Sequence, residues 1–463
     1  MNGTGILKNA AIDGAKLTYT ESGSSFTKEN VTFTSGTIDI GGALDSLVEG
    51  EQGYTFDLGN NLGTNFTVLG LETGQYRIEG SVLTIEGEAI SSVTWVSAGE
   101  GGELEETVKN AFTLALGEGR AANVSLGYLN GTLTTSGDKV YQITNTGETK
   151  INLAGVYNSG ATLPSGNLNY QGDIWMDING GAFGIIAGGV TNEWSTKLQT
   201  STLTGDTHVQ LSGDATAEHV IGGNNKGAST TLTGNTNVTV KDNAIVAGAI
   251  IGGSTSAHNA VTTITGNTSV LVTNVQYSNT AQNLDGGLSN SYIIGGSSWS
   301  SNTTSGTTIQ GSTSATINLN GITLSGTEEH NSFVKTIIGG SYGNVNNAGT
   351  VNNINGDTSV SIIGREGITF TGDIIGGSFE NSGQAQYTIG GNSSISISGG
   401  STFTGNIYGG SYSKVPGNTG STMTTAGNIT VELGTGTYRG NIYGAGNKGT
   451  AGGDVLVSLT GGS

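Results

Sequence analysis

Histidine, cysteine and acidic side chains are the first candidates for chemistry in this chain of 463 residues, and they are sparse. The four histidines are His208, His219, His258 and His330, and no two of them have the spacing of paired metal ligands. Cysteine is absent, which excludes zinc–thiolate sites and disulfides together. The sequence therefore predicts no metal site and no cofactor.

Catalytic motifs are equally weak. The aspartic-peptidase pattern needs Asp followed by Thr or Ser and then Gly, but Asp13 and Asp285 are each followed directly by Gly. No Gly-x-Ser-x-Gly elbow occurs between a strand and a helix. We assign no catalytic residue from the sequence.

A ligand patch is predicted where a sequence repeat is stretched. Insertions fall at 274–292 and 320–335, and a smaller one at 364–370. They occupy the same interval of successive repeats, so we expect them to project side by side. The candidate ligand-binding residues are Tyr277, Asp285, Tyr292, Glu328, Glu329, His330, Arg365 and Glu366. The alternatives are solvated loops without a ligand, or a cleft whose carboxylates do acid–base work on a polysaccharide.

The composition limits the partners. The net charge is -19 and no Lys/Arg cluster occurs, which disfavours nucleic acid and anionic membranes. No apolar run approaches the roughly 18 residues of a membrane span, and the first residues do not read as a signal peptide. With 82 Gly, 34% hydrophobic and 11% charged residues, the chain is typical of a narrow fold with a thin core and many turns.

The elements that position these residues come from a repeat. The segment Ile-Ile-Gly-Gly-Ser, or a variant of it, recurs with its first glycine at 188, 222, 252, 295, 339, 376, 409 and 444. The spacing is 30 to 44 residues, which is typical of a solenoid. Before each copy stands Gly-Asn/Asp-Thr/Ser followed by alternating β-branched residues, as at 234–240 and 356–362. That alternation predicts a strand with one buried face after a bend.

A third short strand precedes the bend, as in Val261–Ile264 and Gln386–Ile389. The sequence thus predicts an all-β, right-handed parallel β-helix (β-solenoid) of about eight coils over residues 166–463, with three strands in each coil. Stacked coils should align aromatic residues in two ladders, which either fill the core and turns or offer a surface for stacking sugars. The ladders comprise Phe333, Phe370, Phe403 and Tyr438, and Trp299, Tyr342, Phe379 and Tyr412.

Residues 1–165 lack the repeat and are predicted to be an irregular β-rich capping region with one short helix at 103–116. At the other end the chain stops within a repeat, which predicts a segment of a longer protein.

The Gly-, Ser-, Thr- and Asn-rich coils, with the motif Gly-Asn-Ile-Tyr-Gly-Gly-Ser at 405–411, resemble the passenger regions of bacterial autotransporters and related surface adhesins. The resemblance covers about residues 170–463. It implies export through the outer membrane by a C-terminal barrel outside these residues, and display on the cell surface or secretion.

Three functions follow as hypotheses. An adhesive or structural rod would bind glycans, host proteins or other cells, with self-association left open. A hydrolase or lyase would act on polysaccharide or mucin-type glycoprotein. Calcium bound by Asp residues at the bends would only stabilise the fold.

Overall fold

A computed structural model gives the fold. It describes residues 6–19, 22–23, 27–40, 48–50, 53–62, 65–68, 76–86, 90–96, 113–117, 123–126, 128–129, 132–133, 139–145, 150–158, 166–191, 198–226, 229–256, 261–273, 292–299, 306–321, 332–333, 335–344, 350–381, 385–414 and 422–462. In these residues the regular elements are β-strands and no α-helix occurs. Most of the strands stack in parallel, so the chain is a parallel β-solenoid.

The longest sheet has twelve strands and contains the strand that follows each Gly-Asn/Asp-Thr/Ser bend. Its strands, in sheet order, are Thr113–Gly117, Ile90–Val96, Lys139–Asn145, Ile174–Gly180, Thr207–Leu211, Thr236–Lys241, Thr268–Thr273, Thr313–Asn318, Thr358–Ile363, Ser393–Ser398, Ile429–Leu433 and Val455–Leu459.

The second sheet has eleven strands and contains the Ile-Ile pairs. Its strands are Asn123–Ser125, Ile151–Ala154, Ala182–Ala187, Thr216–Ile221, Ile250–Ile251, Tyr292–Ile294, Thr336–Ile338, Ile374–Ile375, Ile407–Tyr408 and Ile442–Tyr443, with Ile245–Val246 pairing beside Thr216–Ile221.

The third sheet has nine strands and precedes the bends. Its strands are Gly166–Gln171, Leu198–Thr204, Ser229–Thr233, Val261–Ile264, Gly306–Ile309, Val351–Ile354, Gln386–Ile389, Met423–Thr425 and Gly449–Ala451.

Two smaller parallel sheets carry the aromatic residues at the corners. The five-stranded sheet comprises Thr255–Ser256, Ser298–Trp299, Tyr342–Gly343, Phe379–Glu380 and Tyr412–Ser413. The four-stranded parallel sheet comprises Ser332–Phe333, Thr369–Phe370, Thr402–Phe403 and Thr437–Tyr438. A two-stranded pair joins Tyr157–Asn158 and Val190–Thr191. A complete coil therefore has up to five strands instead of the three predicted, because two-residue strands leave no alternation to detect in the sequence.

The remaining strands lie nearer the N-terminus. Parallel pairs join Ile6–Ile12 with Thr27–Phe33, and Ala15–Thr18 with Gly36–Asp39 and Phe66–Val68. Antiparallel strands are Val48–Gly50, Gly53–Asp57, Val82–Glu86 and Tyr76–Glu79, and the pair Tyr128–Leu129 and Thr132–Leu133. The parallel stack already includes Lys139–Asn145, so the pairing continues across the predicted boundary at 165/166.

The predicted helix at 103–116 is wrong over its last residues. Thr113–Gly117 is a strand that pairs antiparallel with Ile90–Val96, which pairs antiparallel with Lys139–Asn145 in turn. Residues 103–112 lie outside the described part. Two antiparallel strands thus occupy the end of the long sheet, where a cap was expected. Pairing with Ile90–Val96 satisfies backbone groups at the edge of Lys139–Asn145, which a helix packed there would not do.

The apolar core follows the alternation of the long strands. Val270 and Val272 are buried, as are their partners in the next coils. The first isoleucine of each Ile-Ile pair, such as Ile337, joins this main core, whereas the second, such as Ile338, joins a separate cluster with Tyr342. Both faces of the Ile-Ile strands are covered, which explains why the motif is apolar at adjacent positions.

The two sequence motifs are joined by a hydrogen bond. The hydroxyl of Thr268, at the start of a long strand, donates to the carbonyl of Gly295 at 2.5 Å, and Thr313 does the same to Gly339. A Cβ on Gly295 would overlap the carbonyl oxygen of Gly339 in the next coil. The glycine pair is therefore a site of close backbone packing, and the buried Thr satisfies its carbonyl.

The bends form a ladder of hydrogen bonds along the stack. At each bend a side-chain oxygen accepts from the backbone N–H of the equivalent residue in the next coil, at 2.6 to 3.0 Å. The ladder runs through Asp173, Asp206, Asn235, Asn267, Ser312, Asp357, Asn392, Asn428 and Asp454. Asp, Asn and Ser recur at this position because each supplies a short side-chain acceptor.

Candidate functional surface

The three insertions leave the stack from the same side. The strands before them, Thr268–Thr273, Thr313–Asn318 and Thr358–Ile363, pair in register. The strands after them, from Tyr292–Ile294 to Thr336–Ile338 and Ile374–Ile375, pair in register as well. The stems of the insertions are therefore stacked in adjacent coils, as the spacing predicted.

Five of the eight predicted ligand residues lie outside the described residues. These are Tyr277, Asp285, Glu328, Glu329 and His330. Their ligand-binding role stays a prediction.

Tyr292 is described, and it lies in packing at the base of the first insertion. Its side chain is 3% exposed, and its ring centroid is 4.5 Å from that of Tyr342 and 6.2 Å from that of Phe379. The ring belongs to the second apolar cluster, beside Ile294 and Ile338. This is a correction to its expected position on a projecting loop: the residue begins a core strand, and its apolar ring is removed from water there.

Arg365 and Glu366 lie in the turn of the smallest insertion. Glu366 is exposed and Arg365 is half-buried. The hydroxyl of Ser401 accepts from the backbone N–H of Arg365 and donates to its carbonyl oxygen, at 2.8 Å in each case. The turn is thus fixed to the next coil, while the Glu366 side chain is available to solvent.

The first aromatic ladder is confirmed as a core stack. Phe370 lies 4.8 Å from both Phe333 and Phe403, and Phe403 lies 5.3 Å from Tyr438, measured between ring centroids. The three phenylalanines are buried in the main core. The stack is therefore closed to sugar rings along its phenylalanines.

The second ladder is confirmed from Tyr342 through Phe379 to Tyr412, with ring centroids 5.5 and 5.3 Å apart. The prediction that Trp299 belongs to this ladder is wrong, because the register pairs Trp299 with Gly343 and Ser298 with Tyr342. An extra serine after Ser297 shifts the tryptophan by one residue along the strand, out of register with Tyr342. Tyr292 takes the place beside Tyr342 instead.

Sequence reasoning missed Lys335, the last residue of the second insertion. Its side chain is 3% exposed, and its Nζ donates to the carbonyl oxygen of Gly248 at 2.5 Å, two coils away. Burial lowers the pKa of Lys335 to about 7. The sequence did contain a signal, because a lysine stands where four other coils have glycine. These glycines are Gly248, Gly372, Gly405 and Gly440.

A second overlooked group is Glu380, which is fully buried in the five-stranded sheet. The hydroxyl of Tyr387 donates to its Oε2 at 2.5 Å. Burial and the Glu380 carboxylate raise the pKa of Tyr387 well above its usual value, so the tyrosine stays protonated as the donor.

The two histidines that the structure describes, His208 and His219, make contacts within the fold. His208 stacks on Trp175 with ring centroids 3.5 Å apart, and burial lowers its pKa while Asp206 and Asp173 oppose that shift. Nδ1 of His219 accepts from the backbone N–H of Ala249 at 3.0 Å. His258 and His330 lie outside the described residues. No group of three His, Cys, Asp or Glu side chains that could hold a metal occurs in the described part of the chain.

The described residues form a parallel β-solenoid in which the strands that flank the three insertions stack in register. No helix in the part that the structure describes has the length and apolar character needed to cross a membrane. The chain matches no protein-family profile, no curated protein and no solved structure.

Proposed function

We propose that the chain is an adhesive or structural β-solenoid, displayed at a bacterial surface or secreted, which binds glycans or cell-surface proteins through its insertions. The observation that carries the proposal is the stacking of three insertion stems in adjacent coils. Insertions that start from stacked strands of adjacent coils are expected to project side by side, which is the usual arrangement of a binding surface.

Two further features support the proposal. Some buried polar side chains of the coils, such as Thr268 and Thr313, donate hydrogen bonds to backbone carbonyls and so have structural roles. The resemblance to autotransporter passengers and surface adhesins supports display outside the cell. Extracellular export remains part of the proposal.

The test compares retention on immobilised glycans, mucin and whole cells. One variant replaces Tyr277, Asp285, Glu328 and Glu329 with Ser; the control variant replaces Leu271 and Glu432, which are exposed on the long sheet, with Ser. We expect at least one ligand that retains the wild type and the control but releases the insertion variant, with unchanged circular dichroism. Equal retention of both variants, or no retention of the wild type, would contradict the proposal.

The same samples separate binding from cleavage. Release of glycan fragments that stops in a Glu328→Gln, Glu329→Gln variant would overturn the adhesive function in favour of a hydrolase or lyase. We expect the eluted glycans to keep their size.

A further inference from the structure

A column of glycines lies just before the Ile-Ile strands. Its members, four residues before the first glycine of the repeat, are Gly248, Gly372, Gly405 and Gly440. A Cβ at any of them would overlap the backbone carbonyl oxygen of the equivalent residue in the preceding coil. The coils therefore approach each other too closely for a side chain here, and the Cβ direction of this column is toward the preceding coil.

Lys335 occupies the same column but carries a long, buried side chain. Ser291, the equivalent residue of the preceding coil, belongs to the first insertion and lies outside the described residues. The Lys335 side chain extends to the coil before that one, where Nζ donates to the carbonyl oxygens of Gly248 at 2.5 Å and Ala247 at 3.4 Å. It therefore spans the level of the coil that carries the first insertion. We call these two hydrogen bonds the Lys335 bridge.

The carbonyls in the bridge have counterparts that pair through the backbone. One coil earlier, the carbonyls of Ala217 and Glu218 accept from the backbone N–H groups of Ala247 and Gly248 at 2.9 and 2.7 Å. The carbonyls of Ala247 and Gly248 stand at the same two positions one coil later, and a side-chain amine donates to both of them. An amine has enough N–H groups for two acceptors. Lys335 thus makes the hydrogen bonds that two backbone groups make in the coil before.

The strands at this corner show an interruption at the same level. Ile245–Val246 pairs with a strand of the coil before it, and Ser332–Phe333 pairs with a strand of the coil after it. Within the described ranges, neither of them pairs with a strand of the coil that lies between. Gly248 and Lys335 each follow one of these strands by two residues. The bridge therefore joins the two sides of the interruption at equivalent points.

The bridge is not balanced by an ion pair with a carboxylate in the described part of the chain. Of the titratable residues packed against it, Glu218 pairs with Lys150 at 2.8 Å, and Nδ1 of His219 accepts from the backbone N–H of Ala249. Burial lowers the pKa of Lys335 to about 7. The neutral amine keeps N–H donors for both carbonyls, so the bridge persists above that pH.

We propose that Lys335 is the positioning residue of the binding surface. Its side chain connects the stack across the coil that carries the first insertion, and its backbone ends the second insertion, so one residue fixes the bases of both. A surface held in place before a ligand arrives loses less conformational freedom on binding. The role in binding rests on the proposed function, whereas the bridge itself does not.

The role in binding is tested by retention on the ligand that retains the wild type. Lys335→Met keeps a long unbranched side chain and removes the donors, and Lys414→Met changes an exposed lysine as the control. We expect retention of Lys335→Met to be about three- to tenfold weaker and that of Lys414→Met to equal the wild type. Equal retention of all three proteins would overturn the positioning role. If no ligand retains the wild type, the proposed function fails instead, and hydrogen exchange decides on the bridge.

Hydrogen exchange at several pH values tests the bridge without a ligand. A lysine released into water has a pKa of about 10.4, so each pH unit above 7 favours the bridged amine about tenfold. Opening of Thr336–Ile338 in the wild type, compared with opening of Ile429–Leu433 and corrected for intrinsic exchange rates, should become rarer by up to about 100-fold from pH 7 to pH 9. Lys335→Met should lack this dependence, which a merely space-filling side chain would not produce. A wild type without it, measured with no variant at all, would overturn the bridge.

Discussion

At the scale of single residues, Lys335 gives the clearest consequence. Its ammonium group is buried and donates to the carbonyl of Gly248, and its pKa is lowered to about 7. An unfolded lysine has a pKa of about 10.4. Between these values the unfolded chain binds more protons than the folded chain, so the contribution of Lys335 to stability becomes more favourable as the pH rises from about 7 to about 10.4.

We therefore predict that the difference in free energy of unfolding between wild type and Lys335→Met depends on pH. From pH 7 to pH 10 the free energy of unfolding of the wild type should rise by about 3–5 kcal/mol relative to that of Lys335→Met. Below about pH 6, where Lys335 is protonated in both states, the difference should be constant. Denaturant titrations at several pH values measure it, with Lys414→Met as the control because Lys414 is exposed. A difference that stays flat from pH 7 to pH 10 would show that the ammonium is not desolvated.

The threonine at the start of each long strand supports a second prediction. The hydroxyl of Thr313 is buried and donates to Gly339 at 2.5 Å. Thr313→Val leaves that carbonyl without a partner and should lower the free energy of unfolding by about 1–2 kcal/mol. Ser314→Ala, on the outer face of the same strand, should change it by less than about 0.5 kcal/mol. Equal effects of the two substitutions would contradict this role of the hydroxyl.

Single residues also show where sequence reasoning succeeds. The three phenylalanines of the first ladder were predictable, because a fixed offset from the glycine pair places Phe333, Phe370 and Phe403 in one column. Trp299 was not, since its offset differs by one residue and a strand reverses its face at each step. Lys335 stands in a glycine column, but the spacing alone does not show that a long side chain can reach across two coils.

At the scale of elements, the long strands were predictable and the short ones were not. Alternation over six residues, as in Thr358–Ile363, determines both the strand and its buried face. Two-residue strands such as Phe379–Glu380 exist only because a neighbouring coil pairs with them. The helix predicted at 103–116 failed at Thr113–Gly117 for the same reason, since pairing with Ile90–Val96 overrides local helical periodicity.

We expect disruption of the phenylalanine stack to cause the largest loss in the free energy of unfolding. Phe370 contacts a ring on each side, whereas Tyr438 has Phe403 on one side and is only partly buried. Phe370→Ala should therefore lower the free energy of unfolding by about 3–5 kcal/mol, and Tyr438→Ala by clearly less. Guanidinium titrations followed by circular dichroism compare them. A larger loss for Tyr438→Ala would show that the stack does not stabilise the coils from its centre.

At the scale of the whole molecule, the strands of each coil pair only with those of the adjacent coils, so stability should vary along the stack. Within the part of the chain that the structure describes, Val455–Leu459 pairs with one strand, Ile429–Leu433, and four of its five residues are exposed. Thr358–Ile363 is bonded on both sides, and its inner residues are buried. The same strand type therefore occurs in two different environments within one chain.

We predict that native-state hydrogen exchange follows this gradient. Amides of Val455–Leu459 should exchange through local fraying, with free energies of opening of only about 0–3 kcal/mol, whereas those of Thr358–Ile363 should exchange only through opening of several coils. Mass spectrometry of peptides from the two strands measures both in one sample. Phe370→Ala should then accelerate exchange in Thr358–Ile363 and leave Val455–Leu459 unchanged, because the latter already opens without the central coils. Identical protection in the two strands would mean that the solenoid opens as one cooperative unit, and the nearest-neighbour description of its stability would be wrong.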